Sequence, residues 1–147
     1  CAGAGGKSLA LAARGAQVTA TDIREKALQE LQKRAERAGA DIALEQPSPA
    51  DIVLIDAPCS GSGRLRRNPA LRWGLTDLTH REIQIELLNE ATEWVEPGGW
   101  LVYATCSLFE RENHHPTPEG WSIIEEHTLW PHTDHCDGFY WRVMQRE

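Results

Sequence analysis

The sequence predicts an α/β protein, a mainly parallel sheet with helices on both faces, and three observations carry that expectation. Two short hydrophobic runs, residues 52–55 and 100–104, read as buried parallel strands, and each ends on a polar loop holding a cysteine. Stretches with apolar residues at helical spacing lie before and between them, so strand and helix alternate along the chain. The chain opens on the glycine-rich turn Cys1-Ala2-Gly3-Ala4-Gly5-Gly6-Lys7-Ser8, the kind that joins a strand to a helix. No strand stands in front of that turn and there is no initiator Met, so the first strand is read as missing.

Taken in order, residues 7–14 suit a short helix ending at Gly15, and residues 17–21 a strand closing on Asp22. Residues 24–38 are a charged amphipathic helix with Ala27, Leu28, Leu31 and Ala35 on its buried stripe and Gly39 as its stop. A short strand at 41–44 leads through a Pro-rich turn to the core strand 52–55. Residues 79–95 form the second long helix, with Ile83, Leu87, Leu88, Ala91 and Trp94 facing inward, and Pro97-Gly98-Gly99 ends it before strand 100–104. The tail suggests a hairpin of 123–129 with 139–145.

At 147 residues the chain is expected to be one domain, 1–147, burying about two thirds of its unfolded surface. No apolar run reaches the ~18 residues of a membrane span and no signal-peptide pattern opens the chain, so a cytoplasmic location is expected. Four cysteines without close spacing point to reduced thiols rather than a disulfide framework. A net charge of −7 argues against a general nucleic-acid coat and leaves room for a local basic surface.

Gly3, Gly5 and Gly6 let a ligand approach the backbone beside helix amides, and Asp22, at the tip of the next strand, suits ribose hydroxyls. Together they describe a site for a nucleoside-containing cofactor. The competing pattern is the phosphate-binding loop of nucleotidases, since Gly6-Lys7-Ser8 matches its end and Asp56 its magnesium-binding Asp. It fails at its first glycine, where Cys1 stands, and it leaves Cys59 and Cys106 without a purpose. Those two thiols at the carboxyl edge of one sheet suggest covalent chemistry.

The segments CAGAGGKS, DAPCSGSGRLRRNP and YATCSLFERENH resemble the motifs of the Nop/Sun family of S-adenosylmethionine-dependent RNA cytosine-5 methyltransferases, from Cys1 to about Asn113, with a weaker match at Asp137-Gly138-Phe139. The resemblance implies a Rossmann-like methyltransferase domain and S-adenosylmethionine as cofactor. It further implies RNA as partner, ribosomal first and transfer next, with no metal and no membrane. It makes Cys106 the nucleophile and Cys59 the group that assists product release, with Asp56 and Lys7 contacting the target base. Cys1, Ala2, Gly3, Ala4, Gly5, Gly6, Lys7, Asp22 and Asp56 are the cofactor positions it implies. The chemistry suits these residues: carbon 5 of cytosine is a poor nucleophile until a thiolate adds at carbon 6.

Two departures from the family stand out. The acidic residue that usually follows the third strand and meets the adenine has no match in the compressed segment 43–47, where Glu45 or Gln46 would substitute. The link from Phe109 to Trp121 is short and carries Pro116 and Pro118 where a helix is usual. With a central strand missing and no RNA-binding module in the chain, the alternative is an inactive truncated domain that keeps RNA or partner binding.

Arg64, Arg66, Arg67, Arg72 and Arg81, opposed only by Asp77, form the one basic stretch, suited to RNA phosphates. Trp73 is expected to cover the core rather than stack on a base. Cys136 lies among His127, His132 and His135 at spacings that fit no zinc pattern, so a polar loop is expected there, and His114 and His115 are expected to be exposed.

Overall fold

Gly5, at φ +84°, turns the chain into α1 (Gly6–Ala12), and Leu31 packs so close that a Cβ on Gly5 would lie 2.5 Å from its Cγ. The strands β1 (Val18–Thr19) and β2 (Ile42–Ala43) pair in parallel across the helix between them, α2 (Glu25–Ala38). That helix is made of strong helix formers, starts on Glu25, carries Arg37 in its last turn and stops at Gly39 in the left-handed region. Leu31 and Ala35 are its buried residues and pack with Ala20, Ala2, Leu9 and Ile42. These elements make up the first compact unit, Cys1–Ser48, of a computed structural model that describes residues 1–75 and 80–147.

The second unit, Pro49–Glu147, holds β3 (Ala50–Asp56), α3 (His80–Thr92), β4 (Val95–Thr105), α4 (Glu110–Asn113), β5 (Trp121–Leu129) and β6 (Phe139–Arg146). Its four-stranded sheet has the order β3-β4-β6-β5. β3 and β4 are parallel, with Asp56 beside Ala104, and α3 is the crossover between them. The tail hairpin folds as expected, but β6 lies between β4 and β5 and is antiparallel to both. The sheet is therefore mixed, not mainly parallel, because a hairpin must return antiparallel and its second strand takes the place beside β4. Ile55, Leu101, Tyr103, Tyr140 and Met144 form the core, to which α3 adds Leu88 and Ala91.

Several local expectations are corrected. α3 ends at Thr92 and β4 begins at Val95, so the segment 97–99 lies inside the strand, which carries a bulge opposite 50–52. Ile83 is 47% exposed, and Gln84 faces the core in its place, where its amide finds a backbone carbonyl. Thr79, the expected start of that helix, lies outside the described residues. Among those that are described, no helix is long and apolar enough to cross a membrane.

Candidate active site

The parallel pair β3 and β4 end side by side, and each runs directly into a loop that holds a thiol. Cys59 follows Asp56-Ala57-Pro58 and Cys106 follows Thr105, which brings their sulfurs to 3.4 Å. The Cys59 loop is held from three sides. The Gln84 amide donates to the Pro58 carbonyl at 2.8 Å, the Gly63 amide donates to the Cys106 carbonyl at 2.9 Å, and the Gly138 amide donates to the Gly63 carbonyl at 2.9 Å. Gly63 and Gly138 meet backbone to backbone, and a Cβ on Gly63 would lie 2.1 Å from the Gly138 oxygen. This contact gives Asp137-Gly138-Phe139, far along the chain, a structural task at the cysteine loop.

Beneath the thiols lies a buried polar network. Glu112 is fully buried; it accepts the Ser60 amide at 2.8 Å, the Ser60 hydroxyl at 2.6 Å and the Ser107 hydroxyl. Ser62 Oγ accepts the Leu108 amide at 2.9 Å and stands 3.2 Å from Ser107 Oγ. Thr105 donates to Asn113 Oδ1 at 2.6 Å, and Asn113 Nδ2 donates to the Ser107 carbonyl at 3.0 Å. Such a network is rigid when every member is satisfied. His115, expected to be exposed, is instead 5% exposed, with its ring edge-on to Tyr103, and burial holds its imidazole down to about 4.

The two thiols differ. The hydrogen bond from Cys59 is the main cause that lowers Cys106, to about 7; burial and the Asp56 charge oppose it, and the Arg64 charge adds to it. The same bond and burial push Cys59 up, so it stays a neutral thiol. A poised thiolate beside a protonated partner is suited to nucleophilic addition followed by expulsion.

The arginines are placed unequally. Arg64, Arg66, Arg67 and Arg72 are exposed, while Arg81 donates to the backbone carbonyl of Arg111 at 2.5 Å. The expected opposition by Asp77 lies outside the described residues; the acid that opposes this stretch is Asp137, which accepts from Arg67 Nε at 2.5 Å and Arg66 at 3.5 Å. Trp73, expected in the core, is 76% exposed, with the Arg72 guanidinium 4.4 Å from its ring centroid. An open cleft of about 280 Å³ between Ser60, Asn68, Ala70, Leu71 and Gly74 lies on the same stretch. Cys136 donates to the Asp137 carbonyl in a polar loop, and no group of three or more His, Cys, Asp or Glu among the described residues is arranged to hold a metal.

In the first unit the cofactor candidates gather around Asp22. Its carboxylate, 2% exposed, accepts the Gly3 amide at 2.8 Å, the Arg24 amide at 2.9 Å and the Arg24 guanidinium at 2.9 and 3.1 Å. The Ala2 amide donates to the Thr21 carbonyl at 2.9 Å, and Gly3 and Gly5 take positive φ, so Cys1, Ala2, Gly3, Ala4 and Gly5 form a tight turn against the end of β1. Arg34 donates to the Ala4 carbonyl at 2.9 Å. Gly6 and Lys7 start α1, and Glu45 and Gln46 are exposed beyond β2. The turn and acid fit the nucleoside end of a cofactor, provided that Arg24, itself 68% exposed, yields the carboxylate to the ribose hydroxyls.

Glu112, Gly63, Gly138 and Asp137 carry much of this arrangement, and sequence reasoning gave none of them a role. Glu112 stood within FERENH, and Asp137-Gly138 within the weak match near the end.

Comparison with known proteins bears on the family and the fold. Residues 1–119 match the family model for the 16S rRNA methyltransferase RsmB/F. The chain is 37% identical over 129 residues to ribosomal RNA small subunit methyltransferase B of Klebsiella pneumoniae, covering 77% of this chain and 30% of that protein. The Thermus thermophilus protein of the same name is 37% identical over 122 residues, covering 76% and 31%. The chain thus spans about a third of the length of these relatives. Among solved structures, NSun6 from Pyrococcus horikoshii with SFG aligns at a TM-score of 0.84 and 24% identity over 99% of this chain and 46% of that one. TrmN from Thermus thermophilus aligns at 0.68 and 18% over 100% and 42%. These two likenesses bear on the α/β methyltransferase fold, and the family match is independent of them. The chain belongs to the RsmB/F family of 16S rRNA methyltransferases.

Proposed function

We propose that the protein transfers a methyl group from S-adenosylmethionine to carbon 5 of a cytidine in structured RNA, ribosomal RNA first and transfer RNA next, in the cytoplasm. The observation that carries this reading is the pair of thiols 3.4 Å apart, one lowered toward neutrality and the other held protonated.

The cofactor would be held by the glycine turn, residues 1–7, and Asp22, with Glu45 and Asp56 as further contacts, and it supplies an electrophilic methyl sulfonium. Cys106, as thiolate, adds to carbon 6 of the cytosine and makes carbon 5 nucleophilic. The methyl would pass from the sulfonium to carbon 5, leaving the cofactor as its neutral thioether; carbon 5 then gives up its proton to water, the C–H pair reforms the bond between carbons 5 and 6, and Cys106 leaves carbon 6 as a thiolate. Cys59 donates its S–H hydrogen bond to the departing Cys106 thiolate, which favours expulsion. Asp56, whose charge Cys106 feels, and Lys7 orient the base in the roles that the resemblance gives them. The target must leave its stack to reach Cys106, and the exposed Arg64, Arg66, Arg67 and Arg72 suit the phosphates on either side.

The test is transfer of labelled methyl to ribosomal RNA fragments, with 5-methylcytidine identified in the digest. Cys106→Ala abolishes the product, and Cys59→Ala leaves protein covalently attached to RNA. A Cys106→Ala protein that still forms 5-methylcytidine overturns the reading.

A further inference from the structure

We propose that Glu112 is the positioning residue of the thiol pair, one carboxylate that ties the Cys59 loop and the Cys106 loop together. Its two oxygens reach both loops one residue beyond each cysteine. Oε1 accepts the Ser60 amide at 2.8 Å, while Oε2 accepts the Ser60 hydroxyl at 2.6 Å and the Ser107 hydroxyl. Ser60 Oγ and Ser107 Oγ are themselves 3.3 Å apart, so the carboxylate closes a ring of hydrogen bonds under the sulfurs.

The carboxylate is itself anchored. The Glu112 carbonyl accepts the Tyr103 hydroxyl at 2.6 Å and lies 3.0 Å from His115 Nε2, which fixes α4 against β4. Asn113, the next residue, holds Thr105 and Ser107 on the Cys106 side. Glu112 has no exposed surface, so it acts through the serines and touches neither RNA nor cofactor. A carboxylate suits the place because it can accept from an amide N–H and two hydroxyls at once, with the His80 imidazole 3.6 Å from Oε1. Glutamine keeps the shape, but its NH2 group replaces the charged oxygen that takes both hydroxyls, and Ser60 Oγ and Ser107 Oγ already accept the Ser62 and Phe109 amides at 3.4 and 3.1 Å, so the charge-assisted tie between the loops is weakened and the sulfurs separate.

This separation has a signature that simple loss of charge lacks. Removing a nearby negative charge would stabilise the Cys106 thiolate, whereas withdrawing the Cys59 hydrogen bond destabilises it. The inference rests on the proposed function only for the reaction that the pair serves. Its test therefore uses the 147-residue chain without RNA or cofactor. The rate of Cys106 alkylation by iodoacetamide is followed against pH, with the modified peptide identified by mass. In the unaltered protein the midpoint falls at about 7. In Glu112→Gln it rises by about one pH unit, and alkylation at pH 7 slows about fivefold. Ser60→Ala and Ser107→Ala shift it in the same direction by less, and they decide the matter if Glu112→Gln does not fold. An unchanged or lowered midpoint in a folded Glu112→Gln protein, or in both serine variants, overturns the proposal. A raised midpoint in Glu112→Gln, where the unaltered chain fails to methylate RNA, overturns the proposed function and leaves the role of Glu112 standing.

Discussion

The Gly63 amide donates to the Cys106 carbonyl at 2.9 Å, and so the loop that follows one thiol is bonded to the residue that carries the other. Gly63 also packs against the backbone of Gly138, so closely that a Cβ on Gly63 would lie 2.1 Å from the Gly138 oxygen.

Gly63→Ala is expected to destabilise the protein by about 3 kcal/mol, because its Cβ meets backbone that no rotamer change can clear. Gly74→Ala, where a Cβ has nothing within 4 Å, is the control and should change stability by less than about 0.5 kcal/mol. Thermal unfolding of both variants distinguishes them; equal melting temperatures would contradict the packing described.

Asp22 contributes stability that depends on pH. The Arg24 guanidinium, with the Arg24 and Gly3 amides, holds its carboxyl well below the usual carboxylate range, against the opposing effect of burial. A folded-state value below the unfolded one means that the contribution is complete above about pH 4 and is lost as pH falls below it. Asp22→Asn is expected to cost about 2 kcal/mol at pH 7 and progressively less below pH 4. Urea unfolding at pH 7 and pH 3 measures this, and a difference that grows on acidification would contradict it.

Asp137 draws Arg66 and Arg67 into exposed ion pairs. Asp137→Asn frees both guanidinium groups and is expected to tighten RNA binding about three- to tenfold in low salt, with a steeper salt dependence. Filter binding across a salt series reads both quantities. Unchanged affinity and slope would mean that RNA does not follow this face.

Trp73 is exposed and its ring already carries Arg72. Trp73→Ala should leave stability within about 0.5 kcal/mol of the parent. RNA affinity should fall by about 1–3 kcal/mol if the indole stacks on a base. A loss of stability with RNA binding intact would return Trp73 to a packing role.

The parts of this molecule that could be read in its sequence are those set by local pattern. The hydrophobic runs in β3 and β4 are continuous, their ends carry the thiols, and α2 has a clear stripe and a glycine stop. The tail strands were also legible as a hairpin. What β6 pairs with was not, since the choice of neighbour depends on a contact about 45 residues away in sequence, between Trp100 and Gln145. Gln84 replaced Ile83 on the buried face because the Pro58 carbonyl needed a donor, a demand that helical periodicity does not express. Glu112 looked like one more charge in a polar segment; only the serines that converge on it explain its burial. Asp137 was hidden for the same reason, since its arginine partners lie about seventy residues before it in sequence.

The most direct test of the covalent mechanism is to incubate the protein and S-adenosylmethionine with RNA fragments containing 5-fluorocytidine, where fluorine at carbon 5 blocks the final elimination. Cys106→Ala is run alongside, and the attached peptide is sequenced by mass spectrometry. The account predicts a stable adduct through Cys106 that the variant does not form. An adduct through Cys59, or one that persists in Cys106→Ala, would contradict it.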